Sequence, residues 1–316
     1  MDRLFRSRAW RIVLAALLVP LGALVLWRFP WIAAARAMAG ADPMLLGLAL
    51  CANLAALFAK GWAWHLLLRP AAPHRFRVAQ EANMIGAAVN NLSVSVVGEL
   101  ERIRYLASSE RLPMATVAVS VVWARAIEGA ALALVLVSAS AFLDFHWGVR
   151  LVQLAAALAI LLLLALAWIG RSRPTPAGWP RPVRELAVAF GTIGSPRRIL
   201  APLALALVNW GGEWVTLRAA FLAVHAHVSW AASLTALLAI NVAGGARLLP
   251  ANVGILQVAL AAVLIPLQVS SAHVMAAGIL FQGIQVFPVL LLALVVVGRR
   301  PLSVAWTSAR PSGSTG

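Results

Sequence analysis

Charged residues are scarce in this chain, and their scarcity excludes a soluble globular domain. Only 11% of the 316 residues are charged, whereas 62% are hydrophobic. A soluble domain contains about 25% charged and about 45–50% apolar residues. The composition therefore predicts a protein that is embedded in a lipid bilayer.

Cysteine and acidic residues are also rare. Cys51 is the only cysteine, which excludes an intramolecular disulfide and a thiolate metal cluster. The 26 basic residues outnumber the 10 acidic ones and give a formal charge of +16. A nucleic-acid-binding protein needs a basic face beside polar surface. Here the arginines stand between apolar runs, as in cytoplasmic loops of membrane proteins, and we expect no nucleic-acid partner.

Motifs of catalysis and cofactor binding are missing from the sequence. It contains no Gly-x-Ser-x-Gly, no histidine pair at a helical metal-ligand spacing and no glycine-rich phosphate loop. We therefore expect no catalytic residue, no metal and no cofactor, and no transport driven by ATP in this chain alone.

Long apolar runs dominate the chain. A membrane-spanning helix needs roughly 20 apolar residues. Six segments meet this requirement: 10–28, 43–68, 114–142, 150–170, 199–226 and 272–298. Two further apolar segments, 78–107 and 231–266, are interrupted by asparagine, glycine or proline near their middle. Their arms are too short to cross the bilayer, which predicts two broken, re-entrant helical hairpins.

The distribution of arginine predicts the orientation in the membrane. Arginines cluster in the N-terminal tail, in 69–77, in the linker 171–198 and in 299–310. The positive-inside rule places both termini and the 171–198 linker in the cytoplasm. These positions agree with six spans only if each hairpin returns to its side of entry, the first from the cytoplasm and the second from the periplasm. We expect a multi-pass protein of the bacterial inner membrane.

Opposite entry of the two hairpins indicates an inverted repeat. Each half has a broken hairpin followed by a long helix, at 78–142 and at 231–298. Inverted repeats with broken helices are a recurring design for alternating-access transport. Chance similarity between Ala- and Leu-rich segments is the alternative. The predicted fold is an all-α polytopic membrane protein with one integral membrane domain, 1–306, and a disordered tail, 307–316.

Charges inside the first hairpin are the strongest functional candidates. Glu99 and Arg102 share a helix face at a spacing of three residues and can neutralise each other. Charge at membrane depth costs a few kcal/mol per group and is kept for a partner or a function. We interpret these residues as part of a substrate-binding polar path. The alternative is that the hairpin tip lies near the surface and the charges are solvated, as we favour for the similar pair Glu101 and Arg104.

A second charged pair lies within the predicted span 114–142. Arg125 and Glu128 repeat the spacing of three residues at a depth that prevents easy access to water. Substrate binding and structural bridging between this helix and the hairpin are equally good interpretations. Arg125 could equally pair with Glu99, or Glu128 with Arg102.

Two further candidates lie at the breaks. Asn91 belongs to the asparagine pair of the first break, where an amide can satisfy backbone groups that the helix leaves unbonded. Arg247 lies at the second break and needs a partner elsewhere in a polar interior. We include both among the residues expected to line the substrate path.

The order and spacing of three short motifs resemble the flippase-like membrane domain of lysylphosphatidylglycerol synthetases and their stand-alone bacterial relatives. The motifs are Gly98-Glu-Leu-Glu-Arg102, Arg125-Ala-Ile-Glu128 and Pro250-Ala-Asn-Val-Gly254, and the likeness covers roughly residues 10–298. The resemblance implies a polytopic inner-membrane protein that moves or handles lipid headgroups. Some relatives accompany hopanoid or glycolipid pathways.

The chain departs from the family pattern in both halves. The long helix carries Arg125 and Glu128 after Ala124, where Glu-Arg-x-x-Asp is the usual pattern, and Val94 stands near the place of a hairpin proline. In the second half, Gln257 stands where a glutamate is usual and Gln282 where an arginine is usual. The second half has thus exchanged an ion pair for amides, which leaves the charged candidates in the first half.

Three functions are consistent with these observations. The first is a lipid translocase without its own energy source, whose charged lining receives an anionic or zwitterionic headgroup. The second is a membrane enzyme that modifies lipids, with Glu99 or Asp144 as a base. The third is a scaffold that does not transport and that binds lipid-biosynthesis enzymes.

Overall fold

The described part of the chain is helical. The computed structural model describes residues 30–93, 97–139, 196–244 and 250–299, with positions 154, 157, 158, 188 and 190–193. Within these ranges there is no strand. The helices are α1 Trp31–Ala39, α2 Pro43–Leu68, α3 Phe76–Leu92, α4 Val97–Glu110, α5 Met114–Ala139, α6 Pro196–Ala223, α7 Trp230–Gly244, α8 Ile255–Leu264 and α9 Ser271–Gly298.

Four of these helices are long and apolar enough to cross a membrane: α2, α5, α6 from Arg198 onward, and α9. Each has 26 or 28 residues, or roughly 40 Å of helix, which exceeds the ~30 Å apolar core of a bilayer. They confirm four predicted spans and the all-α polytopic membrane fold. The predicted spans 10–28 and 150–170, the linker 171–198 for the most part, and the tail 307–316 lie outside the described residues.

Both interrupted segments contain two helices, as predicted. Segment 78–107 contains α3 and α4, and segment 231–266 contains α7 and α8. These helices have 10 to 17 residues, or roughly 15–26 Å, which is less than the apolar core of a bilayer. The side from which each hairpin enters stays a prediction.

Left-handed backbone conformations form the second break. Ala251, Asn252 and Gly254 have φ angles of 51°, 54° and 84° around the 3₁₀ turn Pro250–Asn252. Only glycine adopts this region without steric cost, whereas asparagine tolerates it better than most residues. The Asn252 side-chain amide donates to the Gly244 carbonyl at 3.2 Å, so it binds the free C-terminal end of α7.

Local sequence explains where the first long helix begins. Asp42 precedes Pro43, and its Oδ1 accepts hydrogen bonds from the backbone N–H groups of Met44 at 2.8 Å and Leu45 at 3.4 Å. An N-cap aspartate followed by proline at the first helical position is a strong helix start. The short helix α1, which the hydropathy pattern did not indicate, precedes this cap and packs against α9.

Small residues allow α2 and α6 to pack closely. A Cβ atom at Gly212 would lie 2.9 Å from the Ala52 carbonyl oxygen and 2.9 Å from Ala56 Cβ. The hydroxyl oxygen of Thr216, one turn further along α6, lies 3.2 Å from the Ala49 carbonyl oxygen and 2.7 Å from the Gly212 carbonyl oxygen. In a bilayer, where lipid is as apolar as leucine, such close contacts and hydrogen bonds hold helices together.

Described residues of the second break lie against the first hairpin. The 3₁₀ turn of the second hairpin contacts α3 of the first, and α3 also packs against α9. Within the first hairpin, Gly86 and Gly98 let α3 and α4 approach, since a Cβ at Gly98 would lie 2.1 Å from the Gly86 carbonyl oxygen. This packing fixes the side chains that follow Gly98 against α2 and α5.

The packing of α2 on α6 predicts that substitutions at two neighbouring glycines change the stability of the protein by different amounts. Gly212→Ala should lower the free energy of unfolding by about 1–3 kcal/mol, because the Ala52 backbone and the Ala56 side chain must move to admit the new Cβ atom. Gly211→Ala is the matched control, since a Cβ there meets nothing within 4 Å among the described residues. Thermal unfolding in detergent measures both variants. Equal melting temperatures would contradict the close packing.

Candidate functional site

Ionised side chains of α2, α4 and α5 meet in the interior of the helix bundle. They are Lys60, Glu128, Arg125, Glu99 and Arg102, which contact one another in that order. We call these five residues the charge chain. Cations and carboxylates alternate along it, so every carboxylate lies between two cations. Such alternation offsets much of the free-energy cost of removing charges from water.

Glu128 lies between Lys60 and Arg125 in the charge chain. Its Oε2 lies 3.2 Å from Lys60 Nζ and accepts a hydrogen bond from Arg125 Nη1 at 2.8 Å. The backbone carbonyl of Glu128 accepts from Trp210 Nε1 at 2.7 Å, which fixes this turn of α5 against α6. The two cations come from different helices, so Glu128 joins α2 to α5.

Glu99 lies between Arg125 and Arg102 in the charge chain. Its Oε1 accepts a hydrogen bond from Arg125 Nη2, and its Oε2 lies 3.6 Å from Arg102 Nε. Asn90 Nδ2 donates to the same Oε1 at 3.5 Å, while Asn90 Oδ1 accepts from the Gly98 N–H at 3.0 Å. The asparagine therefore supports both the carboxylate and the first turn of α4.

Arg102 is the most deeply buried cation of the charge chain. Its side chain is 4% exposed, against 40% for Arg125, and its guanidinium lies 4.3 Å from the centre of the Trp64 ring. Among the described residues, Arg102 Nε and Nη2 and Glu99 Oε2 have no hydrogen-bond partner. An arginine stacked on an aromatic ring with N–H groups to spare is suited to binding an anionic oxygen.

The charge chain has an excess of positive charge. Lys60, Arg102 and Arg125 face two carboxylates, so the fully ionised group carries a net charge of +1. An uncompensated charge in a low-dielectric interior is costly. A bound anion would remove both this excess and the unsatisfied N–H groups of Arg102.

The observed pairs decide between the alternatives left open by the sequence. Glu99 and Arg102 do approach each other, but the arginine that donates a hydrogen bond to Glu99 is Arg125. Glu128 pairs with Lys60 and Arg125 rather than with Arg102. Glu101 and Arg104 form an exposed pair at 3.1 Å, as the solvated interpretation requires.

Of the remaining two candidates, the structure describes Asn91 but not Arg247. Asn91 is half-buried beside Asn90, and it is Asn90 that bonds Glu99 and Gly98. Arg247 lies outside the described residues. The participation of Asn91 and Arg247 in a substrate path therefore stays a prediction.

Lys60 is the site residue that sequence reasoning missed. It is the only lysine of the chain and stands near the middle of the apolar helix α2. A solitary ionised residue inside a predicted span indicates a buried partner. Identifying Glu128 as that partner requires the packing of α2 on α5.

The second half contains an uncharged equivalent of the Glu99–Arg125 contact. Glu99 and Gln257 are each the third residue of their helix, and Arg125 and Gln282 are each the twelfth. Gln257 Nε2 donates to Gln282 Oε1 at 2.7 Å, and Gln282 Nε2 donates to the Ala251 carbonyl at 2.6 Å. The amides noted in the sequence therefore form a real pair at the matching position.

A narrow cleft between α2, α5 and α6 reaches the charge chain. Lys60, Glu128, Trp64 and Asn209 contribute its polar and aromatic wall, and the rest is apolar. In the part of the chain that the structure describes, no cluster of histidine, cysteine or carboxylates could hold a metal ion. The arrangement can bind and orient an anionic group by charge and hydrogen bonding.

Removing one member of the charge chain should destabilise the protein more when more of the remaining buried charges lose a partner. Glu128→Gln leaves Lys60 and Arg125 without their shared carboxylate and should cost about 3–5 kcal/mol. Lys60→Met should cost less because Glu128 keeps Arg125. Glu101→Gln, which breaks an exposed pair, should cost under about 0.5 kcal/mol. Thermal unfolding in detergent ranks the variants by their loss of stability. Equal losses for Glu128→Gln and Glu101→Gln would contradict a buried network.

Comparison with known proteins agrees with the fold and the motifs. A profile of the family described as "Lysylphosphatidylglycerol synthase TM region" matches residues 8–293. No curated protein matches the chain. The match includes every helix of the charge chain and both hairpins. The chain therefore belongs to the lysylphosphatidylglycerol synthase transmembrane-region family, and it is a multi-pass membrane protein of a lipid-related family.

Proposed function

We propose that this protein is a lipid translocase, which moves an anionic or zwitterionic headgroup across the bacterial inner membrane while the acyl chains stay in the bilayer. The observation that carries the proposal is the charge chain, with its net charge of +1 and the unbonded N–H groups of Arg102. A phosphate is the anionic group common to phospholipid headgroups. Arginine binds it by paired, charge-assisted hydrogen bonds.

The depths of the two arginines suggest an order of contact. Arg125 is partly exposed and would meet the phosphate first, whereas Arg102 lies deeper against Trp64. Glu99 contacts both arginines and would hold them in place, as Glu128 does for Arg125 and Lys60. In a zwitterionic headgroup, the same carboxylates would receive the amine.

Broken helices give the proposed path its route through the bilayer. Short arms leave backbone groups unbonded near membrane depth, which is tolerated where they line a polar cavity. The contact of Pro250–Asn252 with α3 brings the second break to the first hairpin. Asn91 and Arg247 belong to this path in the proposal.

The proposal includes an orientation in the membrane and a class of partner. Both termini and the 171–198 linker would face the cytoplasm, with the two hairpins entering from opposite sides as an inverted repeat. Lipid-biosynthesis enzymes are the partners that a translocase of newly made lipid would have.

A flipping assay in proteoliposomes tests the proposal. Fluorescent phosphatidylglycerol is reconstituted with the protein, and a membrane-impermeant quencher reports how fast the label changes leaflet. Arg102→Gln should slow flipping by about tenfold or more, because it removes a charge-assisted contact worth roughly 1.5–3 kcal/mol. Arg104→Gln is the control, since it lies on the same helix in an exposed pair.

Several outcomes of this assay would contradict the proposal. They are the absence of flipping by the wild-type protein, equal rates for wild type and Arg102→Gln, and equal losses in both variants. Mass spectrometry of the recovered lipid provides a further check. A new lipid species in place of a changed leaflet distribution would favour the enzyme interpretation.

A further inference from the structure

A third carboxyl group lies beside the charge chain but is held differently. Glu213 is on α6, and its Oε1 accepts a hydrogen bond from Asn209 Nδ2 at 3.4 Å. The side-chain amide of Asn241 on α7 donates to the Leu237 carbonyl at 2.9 Å and lies close enough to interact with Glu213. Asn209 is 3% exposed and lines the cleft that contains Lys60 and Glu128. Glu213 therefore lies next to the charge chain, with amides as its direct neighbours.

The direct partners of Glu213 contrast with those of the other two carboxylates. Glu99 and Glu128 each contact two cations, so protonating either one would break a buried ion pair. Within the described ranges, no cation lies within 4 Å of Glu213. An amide can hydrogen-bond a carboxylate or a carboxylic acid, because it offers both donors and an acceptor. Glu213 can therefore bind and release a proton without dismantling the charge chain.

The surroundings of Glu213 connect its ionisation to the charge chain. Lys60 on α2 and Glu128 on α5 interact with it electrostatically, and Arg125 lies next to Glu128. Helix α7 has no ionisable residue, and α9 has only His273, whose ring is bonded to Ser270. Ionised Glu213 brings the whole group to three cations and three carboxylates, with a net charge of zero. Protonated Glu213 leaves a net charge of +1.

We propose that Glu213 couples headgroup movement to a proton, so that each singly anionic headgroup crosses together with one H⁺. This inference rests on the proposed function. A proton from water binds a Glu213 carboxylate oxygen, and the group then carries the one positive charge that an anionic headgroup neutralises. Release of both returns Glu213 to the carboxylate. The combined movement is electrically neutral, so the pH difference across the membrane drives it and the membrane potential does not.

The test uses the same proteoliposomes with a pH-sensitive dye inside. The wild-type protein should flip fluorescent phosphatidylglycerol at a rate that changes with pH by up to about tenfold per unit, the limit for a one-proton step. The dye should report proton movement, and a potential imposed with potassium and valinomycin should not change the rate. Glu213→Gln should flatten the pH dependence and abolish proton movement. Glu101→Gln, which removes an exposed carboxylate of α4, should keep both the pH dependence of flipping and the proton movement.

A conservative variant separates coupling from folding. Glu213→Asp restores a titratable carboxyl and should restore pH dependence, even if Glu213→Gln reconstitutes poorly. Flipping by wild type without proton movement, or unchanged pH dependence in Glu213→Gln, would overturn the coupling and leave the translocase intact. Loss of the pH dependence of flipping in Glu213→Asp would also overturn the proton coupling. Absence of any wild-type flipping would overturn the translocase and the coupling together.

Discussion

The free-energy cost of placing charge within a membrane protein governs this structure. Lys60, Glu128, Arg125, Glu99 and Arg102 offset that cost by contacting one another in alternating sign. The contacts join side chains of α2, α4 and α5, and Gly86 and Gly98 let α4, which carries Glu99 and Arg102, pack closely against α3. Because the cations of these five residues outnumber their two carboxylates, the charges balance only when the neighbouring Glu213 is also ionised. In the proposed function, the excess positive charge of the charge chain attracts an anionic headgroup.

The two halves of the chain use the same positions for different chemistry. The Glu99–Arg125 contact and the Gln257–Gln282 contact occupy matching residues of matching helices. An amide pair costs less to bury than an ion pair and holds its helices without attracting an anion. The Gln257–Gln282 pair therefore joins its helices without a charge, whereas the described ion pairs of the charge chain belong to the first half. Such a division fits a path whose charged site lies in one half.

Hydropathy and residue spacing predicted the long helices and the contact within one helix. Hydropathy predicted α2, α5, α6 and α9 because each apolar run exceeds the bilayer thickness, and the spacing of Arg125 and Glu128 predicted their contact. Helix α1 has only nine residues, too few for a hydropathy signal. The sequence could not choose Arg125 over Arg102 as the hydrogen-bond partner of Glu99, nor join Lys60 to Glu128. Those pairs depend on how separate helices pack.

We expect the excess positive charge of the charge chain to hold an anionic lipid headgroup. Native mass spectrometry of the purified protein tests it most directly, by comparing phosphatidylglycerol with a diacylglycerol of the same acyl chains. The two lipids differ only in the headgroup, so apolar contacts contribute equally to both. The account predicts that phosphatidylglycerol stays bound and diacylglycerol is lost. Equal retention of the two lipids would contradict it.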